Sequence, residues 1–176
     1  MLIEFDGKRP RIGKDVFIAP TAVLVGDVQV GDGTSIWFGA VLRADFGPIQ
    51  IGRSCSIQDN TVIHSDSDFP TVIGDYVTIG HNVTAEGCRV GDHSLVGSGS
   101  VVLPFTTFGQ RTLVAANSTV LERSEFPPDV LLAGSPAQIK RSLTGRALDW
   151  TRFAIDDYTE LQARYRAQKI DRLKRS

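Results

Sequence analysis

Methionine occurs once and cysteine twice in 176 residues, and aromatic residues make up only 8%. That scarcity argues against a core of large, malleable side chains. The two cysteines, Cys55 and Cys88, are too few for a disulfide framework. Net charge is −1, which leaves no global basic field to hold nucleic acid. No run reaches the roughly 20 apolar residues that cross a bilayer. The opening MLIEFDGKRP carries no signal-peptide core. Together these absences point to a reducing, cytoplasmic setting and to partners that are neither nucleic acid nor membrane. What is present is glycine, 17 in all, among small aliphatics, with the 41% hydrophobic and 22% charged content of an ordinary soluble globule.

Charge divides the chain. Residues 1–139 hold nine Lys/Arg against fifteen Asp/Glu, whereas residues 140–176 hold ten against five. Gly and Val give way to Arg, Leu, Tyr and Gln at the same place. The expected organisation is a body over 1–139 and a connector plus cationic element over 140–176. That element is expected to lie on an acidic body, its own or a neighbour's.

The body is a repeat. Aliphatics recur every six residues at Ile12, Ile18, Leu24, Val30, Ile36 and Leu42. The series resumes after three extra residues at Ile51, Ile57 and Ile63, and after four more at Ile73, Ile79 and Ala85. One residue is then missing before Val90, Val96, Val102, Phe108 and Val114. A period of six is neither helical nor that of a plain hairpin. It fits a parallel β-helix in which three hexapeptides close one triangular coil and coils stack about 4.8 Å apart. About six coils follow. The pattern resembles the left-handed β-helix family, and the handedness is what that resemblance implies. From Leu148 the spacing changes: Leu148, Phe153, Ile155, Tyr158, Leu161, Tyr165, Ile170 and Leu173 follow three- and four-residue steps. They predict an amphipathic α-helix starting between Thr144 and Asp149, covering an end or a face of the solenoid.

Stacking then sorts the polar residues. Positions one coil apart become vertical neighbours, so Arg43, His64 and Glu86 form one column. Phe38, Asp59 and His81 form another on a different face, beside Trp37, Gln58 and Gly80. His64 and Glu86 thus stand one strand spacing apart, near enough to share a metal ion. His81 reaches them only from a second chain, which favours a site between subunits and a cyclic trimer. Bland readings stand alongside. A histidine on a solenoid face is commonly a surface residue, Arg43 with Asp45 can be a surface ion pair, and Gln58 and Asp59 can serve the turn alone. His93 has no evident partner.

At these residues the chain resembles the γ-class carbonic anhydrases. The stretches are VLRADFGPIQIG (41–52), SIQDNTVIH (56–64), PTVIGDYVTIGHNV (70–83) and GSPAQIKRSL (134–143). The resemblance implies a homotrimer hydrating CO2 to bicarbonate at a Zn²⁺ or Fe²⁺ ion held between subunits by three histidines. It makes His64 and His81 ligands, Arg43 and Asp45 an ion pair tying subunits together, and Gln58 and Asp59 groups that orient water.

One position departs from the pattern. Five residues after His81, where the family carries its third histidine, stands Glu86. A carboxylate makes the ion a poorer Lewis acid and admits Fe²⁺, Mn²⁺ or Mg²⁺ beside zinc. Weakened or altered CO2 hydration is therefore expected. Two other readings follow from the same repeat: a noncatalytic scaffold whose metal site has decayed, and a hexapeptide acyltransferase using a CoA thioester. No long loop inserted in the coils favours the latter.

Overall fold

The computed structural model describes residues 1–170 and is the expected parallel β-helix of hexapeptide repeats, mainly β, with one C-terminal helix. Each of three faces carries seven parallel rungs. The first face runs from Leu2–Ile3 through Val23, Val41, Val62 and Thr84 to Thr119–Val120. A second runs from Phe17–Ile18 to Val130–Gly134, where Ala137–Ser142 adds an antiparallel edge. The third joins the first through the long strands Val23–Val30 and Val41–Ile51, which bend around a corner.

The coil number corrects the expected six. The six-residue series continues past Val114 through Val120, Phe126 and Leu132. Pro127 and Pro128 sit inside the last coil, between Glu125–Phe126 and Val130–Gly134. Proline removes a ladder donor, but at a corner no ladder bond is required of it. The edge strand Ala137–Ser142 also crosses residue 139, so β-structure ends three residues later than the composition change.

Ile18, Leu24, Ile36, Leu42, Ile57 and Ile63 are fully buried along the axis. Coil-to-coil contact is close enough to dictate residue type. A Cβ on Gly52 would lie 2.5 Å from the Gly74 carbonyl oxygen. At another corner the left-handed conformation is met by Gly39, Asn60, Asn82, Gly99 and Asn117, stacked rung on rung. Cys55 and Cys88 are buried, and burial pushes both thiols up to about 12. Native protein at pH 8 is therefore expected to be inert to a thiol-specific disulfide reagent, and urea-unfolded protein to release two equivalents; reaction of either cysteine in the folded state would contradict this burial.

The Arg111 guanidinium, bonded to both oxygens of Asp129 at 2.6 and 2.8 Å, holds that carboxyl below its usual range. A depressed native pKa stabilises the fold above the unfolded value of about 4, and that contribution is lost as pH falls through the native value. Asp129→Asn should therefore flatten the acid limb of a plot of unfolding midpoint against pH, while an unchanged limb would remove the pair from the account.

The helix α1, Arg146–Ala167, begins within the expected window, after Gly145, and is rich in the strong helix formers Ala and Arg. It lies on a flat face rather than over an open end. Trp37 is its anchor, with ring centroids 5.0 Å from Phe17, 5.1 Å from Tyr158 and 5.4 Å from Tyr165. Arg166 reaches the Asp15 carboxylate at 2.7 Å, so the basic element does meet the acidic body. Phe153 departs from the expected buried stripe and is 61% exposed, and Leu173 lies outside the described residues.

Candidate metal centre in two half-sites

The three-residue and four-residue interruptions of the repeat turn out to be structural neighbours. The first is the excursion Asp45–Pro48, where the ladder skips from Gly26–Ala44 to Val28–Ile49. The second, Ser65 to Pro70, stacks on it, and the Gly47 amide donates to Ser65 Oγ at 3.1 Å. Together they form a flange beside the first face. Backbone register aligns Arg43 with His64 and His64 with Glu86, as the column argument required.

The first half-site is built on that register. His64 Nδ1 is 3.0 Å from Glu86 Oε1, and Nε2 is 2.9 Å from Asp45 Oδ1. Asp45 also accepts from Arg43 through its other oxygen. Both residues lie two apart on one strand and so face the same side. Burial pushes the Asp45 carboxyl up, but hydrogen bonds from His64 and Arg43 outweigh it and hold the group below its usual range. The His64 side chain is only 12% exposed, against 41% for Glu86.

Two carboxylates facing the two nitrogens of one imidazole define what the site can hold. A neutral ring donates to one carboxylate and turns a lone pair towards the other. That juxtaposition of acceptors is favourable only with a cation, whether a proton or a metal ion, between or beside them. Donors about 3 Å apart suit ligands on one ion at bonds of about 2.1 Å. The donor set of a nitrogen and a carboxylate oxygen therefore fits a divalent metal. It is incomplete in one chain: among the described residues, no group of three or more His, Cys, Asp or Glu is placed to hold a metal ion.

The second half-site lies on the face under α1. His81 Nδ1 is 2.9 Å from Asp59 Oδ2, and its Nε2 is 3.2 Å from the Tyr158 hydroxyl. A carboxylate only accepts, so Asp59 fixes the tautomer with the proton on Nδ1 and leaves Nε2 as the acceptor for Tyr158. Burial first, then the charges of Asp59 and Asp157, push the Tyr158 phenol up, which keeps it a donor. Asp59 Oδ1 also accepts from the Phe38 amide at 3.2 Å. Gln58 is 6% exposed beside it.

Of the seven residues singled out in the sequence, Arg43, Asp45, His64 and Glu86 are thus brought together. Gln58, Asp59 and His81 form a separate group within the chain. Two participants were not anticipated. Tyr158 read as part of a packing stripe, although a tyrosine among leucines on a buried face needs a hydroxyl partner. Phe46, on the flange, is 69% exposed with its ring 5.4 Å from His64, and nothing in its spacing marked it.

The fold and the register define a hexapeptide-repeat protein. Residues 9–44 and 70–104 match the family model described as bacterial transferase hexapeptide (six repeats). The chain is 45% identical over 144 residues to a carbonic anhydrase of Geobacillus kaustophilus, covering 82% of this chain and 79% of that one. It is 39% identical over 160 residues to the mitochondrial gamma carbonic anhydrase 2 of Arabidopsis thaliana. It spans 58% of that relative's length, and 61% of gamma carbonic anhydrase 1 from the same plant. A Bacillus cereus crystal structure described as a candidate acetyltransferase superposes with a TM-score of 0.93 at 32% identity, covering 96% and 98% of the two chains. The chain belongs to the γ-class carbonic-anhydrase-like family of hexapeptide-repeat proteins.

Proposed function

We propose that this protein is a γ-carbonic-anhydrase-like homotrimer that hydrates CO2 reversibly at a divalent metal site between subunits, with activity weakened or altered by Glu86. The observation that carries the reading is His64 wedged between Asp45 and Glu86, an arrangement of acceptors that calls for a cation. His64 and Glu86 of one chain and His81 of the next would hold the ion, His81 through the Nε2 lone pair that the Tyr158 hydroxyl takes within the single chain, with zinc first and Fe²⁺, Mn²⁺ or Mg²⁺ also admitted by the oxygen donor. A divalent ion there supplies the Lewis acidity that makes water a nucleophile for CO2 at neutral pH. The protein's own part is positioning. Arg43 and Asp45 orient His64, Asp59 sets the His81 tautomer, and Gln58 and Asp59 are the groups assigned to orient water. Glu86 brings a negative charge that an imidazole would not, so less nucleophile forms at pH 7.

Metal analysis of purified protein combined with a stopped-flow CO2 assay tests this. About one ion per chain and measurable hydration are expected. A protein that stays metal-free in excess zinc would overturn the reading. A stable, metal-loaded trimer inactive with every divalent ion would instead favour the scaffold.

A further inference from the structure

His81 has one lone pair to give, and within the single chain it is already given. Asp59 Oδ2 takes the Nδ1 proton at 2.9 Å, so the ring accepts only at Nε2, where the Tyr158 hydroxyl donates at 3.2 Å. The two ring centroids stand 6.4 Å apart, so the hydroxyl and not the ring face makes this contact. Tyr158 is held there from behind. Its ring meets Trp37 edge-on, with centroids 5.1 Å apart and planes at 77°. Further along α1, Gln162 Nε2 donates to the Gly33 carbonyl at 2.9 Å and Arg166 pairs with Asp15, which pin the helix to the solenoid. The His81 side chain is 41% exposed, so the ring stays within reach of a neighbouring chain.

Nε2 of a neutral imidazole serves a hydroxyl proton or a metal ion, never both. For an ion that it alone would bind, His81 gives up the Tyr158 contact and gains a single bond. The balance shifts when His64 and Glu86 of the next chain already hold that ion. His81 then completes a set of three donors, and assembly sets a high effective concentration for that last bond. We propose that the Tyr158 hydroxyl competes with the ion for His81 Nε2, so that α1 guards this nitrogen until a second chain presents an ion on His64 and Glu86. This rests on the metal reading above and adds a regulating contact to it. Tyr158 is a positioning residue that acts through His81.

Tyr158→Phe isolates the contact, because it keeps the ring on Trp37 and removes only the hydroxyl. Assembled, full-length wild-type and variant proteins are stripped with a chelator and titrated with zinc against a chromophoric competitor. Thermal unfolding is then followed for the stripped forms and for both proteins at the same saturating zinc. The variant is expected to bind zinc about three- to tenfold more tightly, which is what one such hydrogen bond is worth against water. Its stripped form should melt about 2–4 °C below the wild type. The two zinc-loaded proteins should melt together, because the contact is broken in both. A residue that served packing alone would lower both forms equally and leave zinc affinity unchanged. Either result, with zinc bound by the wild type, would overturn this proposal and leave the metal reading standing. Zinc bound by neither protein would remove both.

Discussion

Glu86→His is expected to raise CO2 hydration by about tenfold or more at neutral pH. The substitution replaces an anionic donor with a neutral imidazole one rung above His64, where the backbone pairing already aligns the two residues. Removing that negative charge strengthens the Lewis acid, and each unit by which the pKa of the activated water falls is worth about tenfold in nucleophile at pH below that value. Stability should change little, within about 0.5 kcal/mol, because the Glu86 side chain is 41% exposed. Glu86→Gln separates the charge effect from the ligand effect: a neutral amide is a poor ligand, so metal content and activity should both fall. A folded, metal-loaded Glu86→His protein with no gain would contradict the three-donor logic.

The second large effect is on the solenoid itself. Ile57 is fully buried on the axis, stacked between Ile36 and Ile79. Ile57→Ala removes three carbons from a site that the rigid backbone cannot collapse around, at a cost of about 2–5 kcal/mol. For a chain of this size that lowers the melting temperature by roughly 4–20 °C. A solenoid transmits order only through neighbouring coils, so a defect in the middle also loosens its coupling. The urea transition should broaden as well as shift. Ile57 precedes Gln58 and Asp59, and their half-site should lose metal affinity with it. A fall of less than about 3 °C would show that the axis packs less tightly than described.

The sequence exposed the parts of this molecule that depend on periodicity. A six-residue step survives any surface decoration, because every rung needs an axial side chain, and so the faces and the His64–Glu86 register followed from counting. Prolines hid the seventh coil: Pro127 and Pro128 carry a turn signal whether they end a solenoid or sit at its corner. The column argument also kept His81 apart from His64 and gave Asp59 its place beside Phe38. It could not give Asp59 its hydrogen bond to His81, since side-chain direction at a corner is not set by register. Tyr158 lies 77 residues from His81, and only the packing of Tyr158 and Tyr165 on Trp37 brings that hydroxyl over the ring. The stacking of the two interruptions into one flange was likewise invisible, because each reads alone as a local insertion.

The claim on which the function rests is that one chain supplies His64 and Glu86 and another supplies His81. Subunit complementation measures it most directly. His64→Ala and His81→Ala proteins, each expected to bind no metal and to hydrate no CO2, are unfolded together in equal amounts and refolded. In a cyclic trimer assembled at random, about a quarter of the sites then combine an intact His64 and Glu86 with an intact His81. The account predicts recovery of metal and activity to about that fraction. Mixed oligomers that form and recover neither would contradict it.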